Sequence, residues 1–405
     1  MISPRSTAGL GAWLAFATAS LFFLFEFVAR ISPSLAPGQI REWFGLSGGG
    51  FSTLSSLFFW IYAPMQIVVG LAMDRFGARR LVLPAIAACA SGVALFALTD
   101  LPLVAGIGRL LTGFGAAFAF VGALYVVNHR FPPARFALLS GVVNALAMIG
   151  TAVGAVWLSG LVTLAGWRPV FFAIAAAGAV ILCLAVIFLH DAGDAPERVH
   201  GAHPLAPLRP LMRDGRVWLI ALLGALYYMP VNVYGGLWGS AEVMADRGLG
   251  EAGAELAVSM IFWGMAAGSV ASGWISDRLG HRKWLLFVSI LLTAALYAAA
   301  LFLPGLGLRA LAALLFLAGL FNGAQMLTFA MAKEGHPQEV SGTIISFVNM
   351  IGIAGALVFQ PLVGVMIDRA GGAFGVAMLT IPVCVLLAAV LTLGVREKRH
   401  PDHAA

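Results

Sequence analysis

The sequence predicts an all-α membrane protein in which twelve transmembrane helices form two pseudo-symmetric six-helix bundles. Hydrophobic residues make up 61% of the 405 residues and charged residues only 10%, whereas a soluble domain carries roughly 25% charged residues. Apolar runs of roughly 20 residues recur along the chain, each long enough to cross a hydrocarbon layer of ~30 Å as a helix. An 11-residue pattern also occurs twice, half a chain apart.

The repeated pattern has the form G-x-x-x-D-R-x-G-x-R-[RK], and its two copies are offset by 203 residues. Each copy follows a long apolar run, so we infer two related halves. The first copy contains Gly70, Asp74, Arg75, Gly77, Arg79 and Arg80, and the second contains Gly273, Asp277, Arg278, Gly280, Arg282 and Lys283.

The apolar runs place six spans in each half. We expect an N-terminal bundle at 1–190, a polar, proline-containing cytoplasmic linker at 191–216, and a C-terminal bundle with a short basic tail at 217–405. The predicted spans are 12–33, 51–73, 81–98, 103–127, 137–161, 168–189, 217–238, 257–276, 284–303, 309–331, 342–366 and 373–395.

Basic residues set the predicted orientation. With a cytoplasmic N-terminus, seventeen of the 24 Lys and Arg fall on the cytoplasmic side and five outside, and only Arg30 and Arg109 lie within spans. This bias predicts that both termini are cytoplasmic. Because the basic residues are scattered over short loops, the net charge of +6 does not indicate a nucleic-acid partner.

Enzyme and cofactor signatures are absent from the sequence. It has no G-x-x-x-x-G-K-[ST] phosphate loop and no H-E-x-x-H site. Cys89, Cys183 and Cys384 are isolated within apolar runs, so we expect no disulfide and no metal. We therefore predict a protein that is not an enzyme and that needs no cofactor.

These motifs resemble the Major Facilitator Superfamily of secondary transporters, over about residues 10 to 395. The paired loops are the signature of that family, and Gly106–Gly115, with Arg109 inside it, resembles a second motif. A third motif, frequent in antiporters, is incomplete because Gly150–Gly154 lacks its proline and double glycine. The segments 25–34 and 63–66 are similar to a bacterial group that includes intraphagosomal amino-acid and nucleoside importers.

The resemblance implies that the paired loops gate the cytoplasmic side. An aspartate there meets the positive end of a helix from the other half, which predicts Asp74 near Ser341-Gly342 and Asp277 near Ser140-Gly141. The arginines of both loops would pair across the same boundary. The alternative is that these arginines only set the topology.

Charges within a bilayer are costly and mark function. Glu26 is the acid that we place well inside a span, and both it and Arg109 lie about 9 Å below the outer face by helical rise. Their shared depth permits an ion pair between them. Arg30 follows Glu26 by one helical turn and can compete with Arg109 for the same carboxylate. We predict that Glu26 and Arg109 couple protons and that Arg30 and Arg109 bind substrate. The alternatives are a permanent ion pair, and an Arg30 that extends to the outer headgroups.

Two arginines against one glutamate favour an anionic substrate, and a guanidinium suits a carboxylate. The second half offers aromatic and amide groups around Pro230, Gly235 and Gly236, which should break span 7. Ordinary hydrogen bonds between helices are the alternative role for the amides, and Trp238 fits an interfacial belt as well. The further substrate-binding candidates are Tyr227, Tyr228, Asn232, Tyr234, Trp238, Asn322, Gln325, Asn144 and Asn349.

The sequence thus predicts a monomeric secondary active transporter in a bacterial cytoplasmic (inner) membrane. It would move a small organic solute that bears a carboxylate, such as an amino acid or organic anion, by alternating access and with proton coupling. Its partners would be that small molecule, protons and the lipid bilayer. The alternatives are a drug/proton antiporter, and a membrane sensor or accessory subunit that does not transport.

Overall fold

The computed structural model describes residues 9–46, 48–190, 208–371 and 373–397. Within these ranges every regular element is helical, and twelve spans are long and apolar enough to cross a membrane. The predicted fold class is confirmed. We number the spans 1 to 12: Leu10–Leu35, Thr53–Phe76, Ala78–Leu98, Pro102–Arg130, Pro133–Val153, Trp167–Phe188, Gly215–Arg247, Ala252–Leu279, Lys283–Phe302, Leu308–Lys333, Gln338–Ile367 and Gly375–Gly394.

Several spans are built from more than one helix. The α-helices are Leu10–Ile31, Pro37–Phe44, Gly48–Phe76, Ala78–Leu98, Pro102–Ala116, Ala119–Arg130, Phe136–Ala165, Trp167–Phe188, Leu208–Arg213, Gly215–Met229, Gly239–Arg247, Glu251–Leu279, Lys283–Phe302, Leu308–Asn322, Leu327–Lys333, Ser341–Arg369, Gly375–Met378 and Thr380–Gly394. Short 3₁₀ turns occupy Ser32–Leu35, Pro133–Arg135, Gly323–Met326 and Gln338–Val340, and a π-helix occupies Pro230–Trp238.

Span 7 differs from its prediction. Pro230 and the two following glycines were expected to break the helix, and its end was placed at residue 238, but the chain stays helical through a π-helical stretch as far as Arg247. Proline has no N–H to donate within the helix, and a π-helix accommodates this by pairing carbonyls with N–H groups five residues later. An example is the hydrogen bond from the Gly239 N–H to the Tyr234 carbonyl.

The predicted linker lies only partly within the described residues, because 191–207 fall outside them. Residues 208–213 form a short helix and Gly215 already begins span 7. Asp214 caps the first helix of span 7, Gly215–Met229, by accepting the main-chain N–H of Arg216 at 2.8 Å. Burial acts to raise the pKa of Asp214, but the hydrogen bonds from the Arg216 and Val217 main chain and from His336 outweigh it and leave the pKa below its ordinary value.

The chain divides into two compact units. The first comprises Met1–Pro133, Ile149–Pro207 and Pro337–Ser346, and the second comprises Ala134–Met148, Leu208–His336 and Phe347–Ala405. They differ from the two sequence halves in that the start of span 5 belongs to the second unit and the start of span 11 to the first.

The glycines of the repeated loops serve two purposes. Gly77 and Gly280 end spans 2 and 8 with φ of 78° and 66°, a conformation that residues with a Cβ rarely adopt. Gly70 lets span 2 approach span 11, because a Cβ there would lie 1.9 Å from the Ser346 hydroxyl oxygen and 2.8 Å from the Gly342 carbonyl oxygen. The pattern therefore encodes a helix end and a close helix contact.

We expect Gly70→Ala to destabilise the protein by about 1–3 kcal/mol, because the added methyl group overpacks a tight contact. Gly352→Ala in span 11 is the matched control, since a Cβ there meets nothing within 4 Å, and alanine is the better helix former by roughly 0.5–1 kcal/mol. Thermal unfolding of the two purified variants measures the difference. Equal melting temperatures would show that the approach of spans 2 and 11 is not as close as described.

Candidate functional site

The buried acid of span 1 is paired with its neighbour on the same helix. Glu26 is 0% exposed, and its Oε1 accepts the Nε–H of Arg30 at 2.8 Å, with a second bond from Arg30 Nη2. The other carboxylate oxygen of Glu26, Oε2, has no hydrogen-bond partner among the described residues. Half of this buried carboxylate is therefore left without compensation.

Arg109 has a different set of partners. Its guanidinium donates to the carbonyl oxygens of Ala29, Arg30 and Ser55, each at 3.1 Å. The α-helix of span 1 ends at Ile31, and Pro33 has no N–H to offer the Ala29 carbonyl four residues earlier. Arg109 thus donates to carbonyls at the end of the span 1 helix, of which the Ala29 carbonyl also accepts the Ser32 hydroxyl at 2.9 Å.

Of the two pairings that the sequence left open for Glu26, the structure contains the one with Arg30. Arg109 is 3% exposed, and its Nε has no hydrogen-bond partner in the described part of the chain. In this arrangement Arg109 joins span 4 to the ends of spans 1 and 2, and its donors point to main-chain oxygens.

Arg30 is the more accessible arginine. Its side chain is 21% exposed, and its guanidinium carbon lies 4.4 Å from the ring centre of Phe27, 5.1 Å from Tyr62 and 5.6 Å from Phe58. Aromatic faces attract a guanidinium and hold it in place. The structure therefore presents a partly accessible cation, fixed by three rings and by Glu26.

In span 7, the π-helical stretch places two of the predicted residues together with one partner from span 11. Gln360 donates from Nε2 to the Asn232 carbonyl at 2.8 Å, and its own carbonyl accepts the indole N–H of Trp238 at 3.3 Å. Asn232 and Trp238 are half-buried, as is Tyr228. This part of the second unit keeps polar side chains at an accessible surface.

Two of the predicted tyrosines are instead part of the interior. Tyr227 and Tyr234 are both 0% exposed, and Tyr227 donates to the Phe321 carbonyl at 2.6 Å. The sequence placed them on one helix face with Trp238, but the π-helix changes the spacing between these positions. Asn322, also 0% exposed, donates to the Tyr227 carbonyl at 2.7 Å.

The remaining amide candidates are divided between interior and accessible positions. Gln325 and Asn144 are each 5% exposed, and Asn144 Nδ2 has no hydrogen-bond partner in the described ranges. Asn349 is half-buried. These three residues belong to spans 10, 5 and 11.

One buried acid was missed from the sequence. Glu242 is 2% exposed, and its Oε2 accepts the hydroxyl of Tyr234 at 2.8 Å. It was left out because span 7 was ended at residue 238. The sequence did contain a signal for the true end of span 7. Arg247 followed by Gly248 is a basic last turn followed by a glycine, a pattern that marks the end of a helix.

The aspartates of both repeated loops accept hydrogen bonds at helix starts. Asp74 accepts the N–H groups of Gly342 at 2.8 Å and Thr343 at 2.7 Å, and the Thr343 hydroxyl at 2.6 Å. Asp277 accepts the N–H of Leu138 at 2.8 Å, just before the predicted Ser140-Gly141. The helix of span 5 begins at Phe136, so its free N–H groups lie in that earlier turn.

The basic residues of the loops have partners of several kinds among the described residues. Arg282 pairs with Asp277 and Glu334, and burial lowers its pKa while Asp277 acts against that effect. Among the rest, Arg79 donates to the Leu189 carbonyl and Lys283 to the Leu393 carbonyl. Arg75 and Arg278 lie against the rings of Phe76 and Trp274, and Arg80 is exposed.

A cavity of about 480 Å³ lies elsewhere in the first unit, between the short helix after span 1 and the start of span 6. None of the residues predicted for coupling, substrate or gating lines it. Its lining consists of Gln39, Glu42, Trp43, Asp100 and Trp167.

Comparisons with known proteins agree with this architecture. The sequence matches the Major Facilitator Superfamily over residues 10–238 and 220–405. It is 28% identical over 280 residues to the "Probable sulfoacetate transporter SauU" of Cupriavidus necator, covering 65% of this chain and 64% of that protein. It is 24% identical over 407 residues to the "Probable galactarate/D-glucarate transporter GudP" of Escherichia coli, covering 90% and 88%.

A solved structure shows the same fold. The fucose:proton symporter FucP of Escherichia coli superposes with a TM-score of 0.75, covering 96% of this chain and 100% of that chain at 18% identity. At this identity the likeness concerns the fold alone.

We expect Asp74→Ala to destabilise the protein by about 1–3 kcal/mol, because two main-chain N–H groups and a hydroxyl lose their charged acceptor. The control is Arg75→Ala, which changes the neighbouring charge at an exposed position of the same motif. The readout is the apparent melting temperature of each purified variant. If the control lowers it as much as Asp74→Ala does, the hydrogen bonds of Asp74 are not what stabilises this region.

Proposed function

The chain belongs to the Major Facilitator Superfamily, and from this premise we propose that it is a secondary transporter for a small organic anion. Its place would be a bacterial cytoplasmic membrane, with both termini on the cytoplasmic side, and it would act as a monomer and without catalysis. The observation that carries the proposal is Arg30, a cation within span 1 whose side chain is 21% exposed. The names of the two relatives, which concern sulfoacetate and galactarate or D-glucarate, support an anion.

Arg30 is suited to the first contact with an anion. A guanidinium binds a carboxylate or sulfonate through paired N–H donors, and the three aromatic rings fix its orientation before the ligand arrives. Arg109, with its donors on main-chain carbonyls, would position the end of span 1. In the second unit, Asn232, Trp238 and Tyr228 are predicted substrate-binding residues with partly accessible side chains.

The pairing of Arg30 with Glu26 offers a route to proton coupling. An anion that draws Arg30 towards itself would remove the cation that keeps Glu26 ionised, because a nearby opposite charge favours the charged form of a carboxylate. Glu26 is 0% exposed and one of its oxygens has no partner among the described residues, so protonation would then relieve an uncompensated buried charge. Anion and proton would bind together.

Alternating access would use the repeated loops. Asp74 comes from the first half of the sequence and its partners Gly342 and Thr343 from the second, so these bonds would form in one state and break in the other. Asp277 and Leu138 would act in the same way. Because opening costs several charge-assisted bonds, the loops would stabilise the state in which they are made.

We expect Arg30→Gln to weaken binding of the substrate anion by roughly 10- to 100-fold, since a charge-assisted hydrogen bond is worth about 1.5–3 kcal/mol. Calorimetric titration of the purified protein with sulfoacetate, D-glucarate, tartrate and nitrate identifies the anion that binds. Arg309→Gln, at the exposed start of span 10, is the control and should bind normally. Unchanged affinity in Arg30→Gln would contradict an anion site at this residue, and binding of lipophilic cations instead would favour the drug antiporter.

Glu26→Gln should abolish uptake driven by a proton gradient while leaving exchange of internal for external anion in place, because the amide neither binds nor releases a proton. Uptake and exchange in proteoliposomes separate the two steps. Glu255→Gln, at the exposed start of span 8, should retain both. Gradient-driven uptake at the normal rate would remove Glu26 from coupling.

A further inference from the structure

A second buried carboxylate lies at the end of span 7. Glu242 is 2% exposed, and its Oε2 accepts a hydrogen bond of 2.8 Å from the hydroxyl of Tyr234. Tyr234 is itself 0% exposed. Ionisable groups at such positions are expensive to keep charged, so the question is how well the charge of Glu242 is compensated.

The charge is compensated by an ion pair that lacks a hydrogen bond. Arg247 is the paired cation, and its Nε lies 4.0 Å from Oε1, beyond hydrogen-bond range. The Nη2 of Arg247 donates instead to the carbonyls of Ala300 and Leu301. Asp246 adds a like charge on the same helix at an exposed position. The hydrogen-bond partner of Glu242 is therefore a neutral hydroxyl. Because a neutral donor stabilises the ionised carboxylate less than a hydrogen-bonded cation would, the protonated form can be populated as well.

Tyr234 connects this carboxylate to the π-helical stretch. Its carbonyl accepts the Gly239 N–H, and its ring packs so closely on Gly239 that a Cβ there would lie 3.0 Å from Cδ1. On its other side the ring meets Tyr297 edge-on, with centroids 6.1 Å apart. The Tyr297 hydroxyl is buried without a hydrogen-bond partner in the described residues. A change in the Tyr234–Glu242 bond would thus act directly on the residues that bracket Asn232.

We propose that Glu242 is a second proton-binding carboxylate, whose protonation changes its bond with Tyr234 and thereby the π-helical stretch Pro230–Trp238. In the ionised state the Tyr234 hydroxyl donates to Oε2. When a proton from water binds the carboxylate, Glu242 becomes both donor and weaker acceptor, and the bond that fixes Tyr234 is lost or reversed. This inference rests on the proposed transport function, because it links proton binding in the second unit to the residues expected to meet the substrate.

Infrared difference spectroscopy of the purified full-length protein tests the proton site without any substrate. Lowering the pH from about 9 to about 5, the range in which buried glutamates titrate, should produce a C=O stretching band of a protonated carboxyl in the wild type. To remove the contribution of Glu26, the spectra are compared in a Glu26→Gln background. There the band should be lost on adding Glu242→Gln and kept on adding Asp246→Asn, a matched loss of charge one turn away. A band of undiminished intensity after Glu242→Gln would overturn the proposal.

Tyr234→Phe provides a second, milder variant, since it removes only the hydroxyl. The Glu242 band should then titrate at a different pH, because the ionised carboxylate has lost its donor. Hydrogen–deuterium exchange over residues 230–247 should depend on pH in the wild type beyond the intrinsic rate and lose that dependence in both variants. An unchanged pH profile in both would show that Glu242 does not act on the π-helix. Because no anion is added, these outcomes stay distinct from a failure of the transport assays.

Discussion

The need to pair every polar group inside a hydrocarbon layer governs the centre of this protein. Pro33 removes a donor from the end of span 1, and the Ala29 carbonyl accepts hydrogen bonds from Arg109 and from the Ser32 hydroxyl instead. That role commits Arg109 to the backbone. Arg30 is then the cation that pairs with Glu26. Its side chain is also partly exposed, so it is accessible to a ligand as well. The proposed link between anion and proton follows from this division of work between two arginines.

The same constraint explains the repeated loops. A carboxylate at the end of one span meets free N–H groups at the start of another, as Asp74 does with Gly342 and Thr343. The glycines beside it permit the approach, since Gly70 has no room for a Cβ. The aspartate, the free N–H groups of the helix start and the glycine thus belong to one contact between spans 2 and 11. Such a contact is strong when made and leaves unpaired groups when broken, which is what a two-state gate requires.

The twelve spans could be predicted because hydrophobic length is a direct physical signal, and the family was indicated by the repeated motif. The partner of Asp74 was expected from the family resemblance, which places this aspartate at the start of a helix from the other half. The choice between Arg30 and Arg109 for Glu26 did not, because spacing along a helix does not show where main-chain carbonyls are left open. Glu242 was missed for a related reason: a π-helix carries the chain past Pro230, and hydropathy alone placed the end of span 7 too early. Tyr227 and Tyr234, which were predicted to bind substrate, lie in the interior.

Proton uptake on anion binding tests the central claim most directly. Calorimetric titration of the purified protein with its anion, repeated in buffers of different ionisation enthalpy, gives the number of protons taken up per anion bound. The account predicts net proton uptake in the wild type that is much reduced in Glu26→Gln, since Arg30 turns from Glu26 to the ligand. Anion binding with no proton uptake, or with the same uptake in both proteins, would contradict the competition for Arg30.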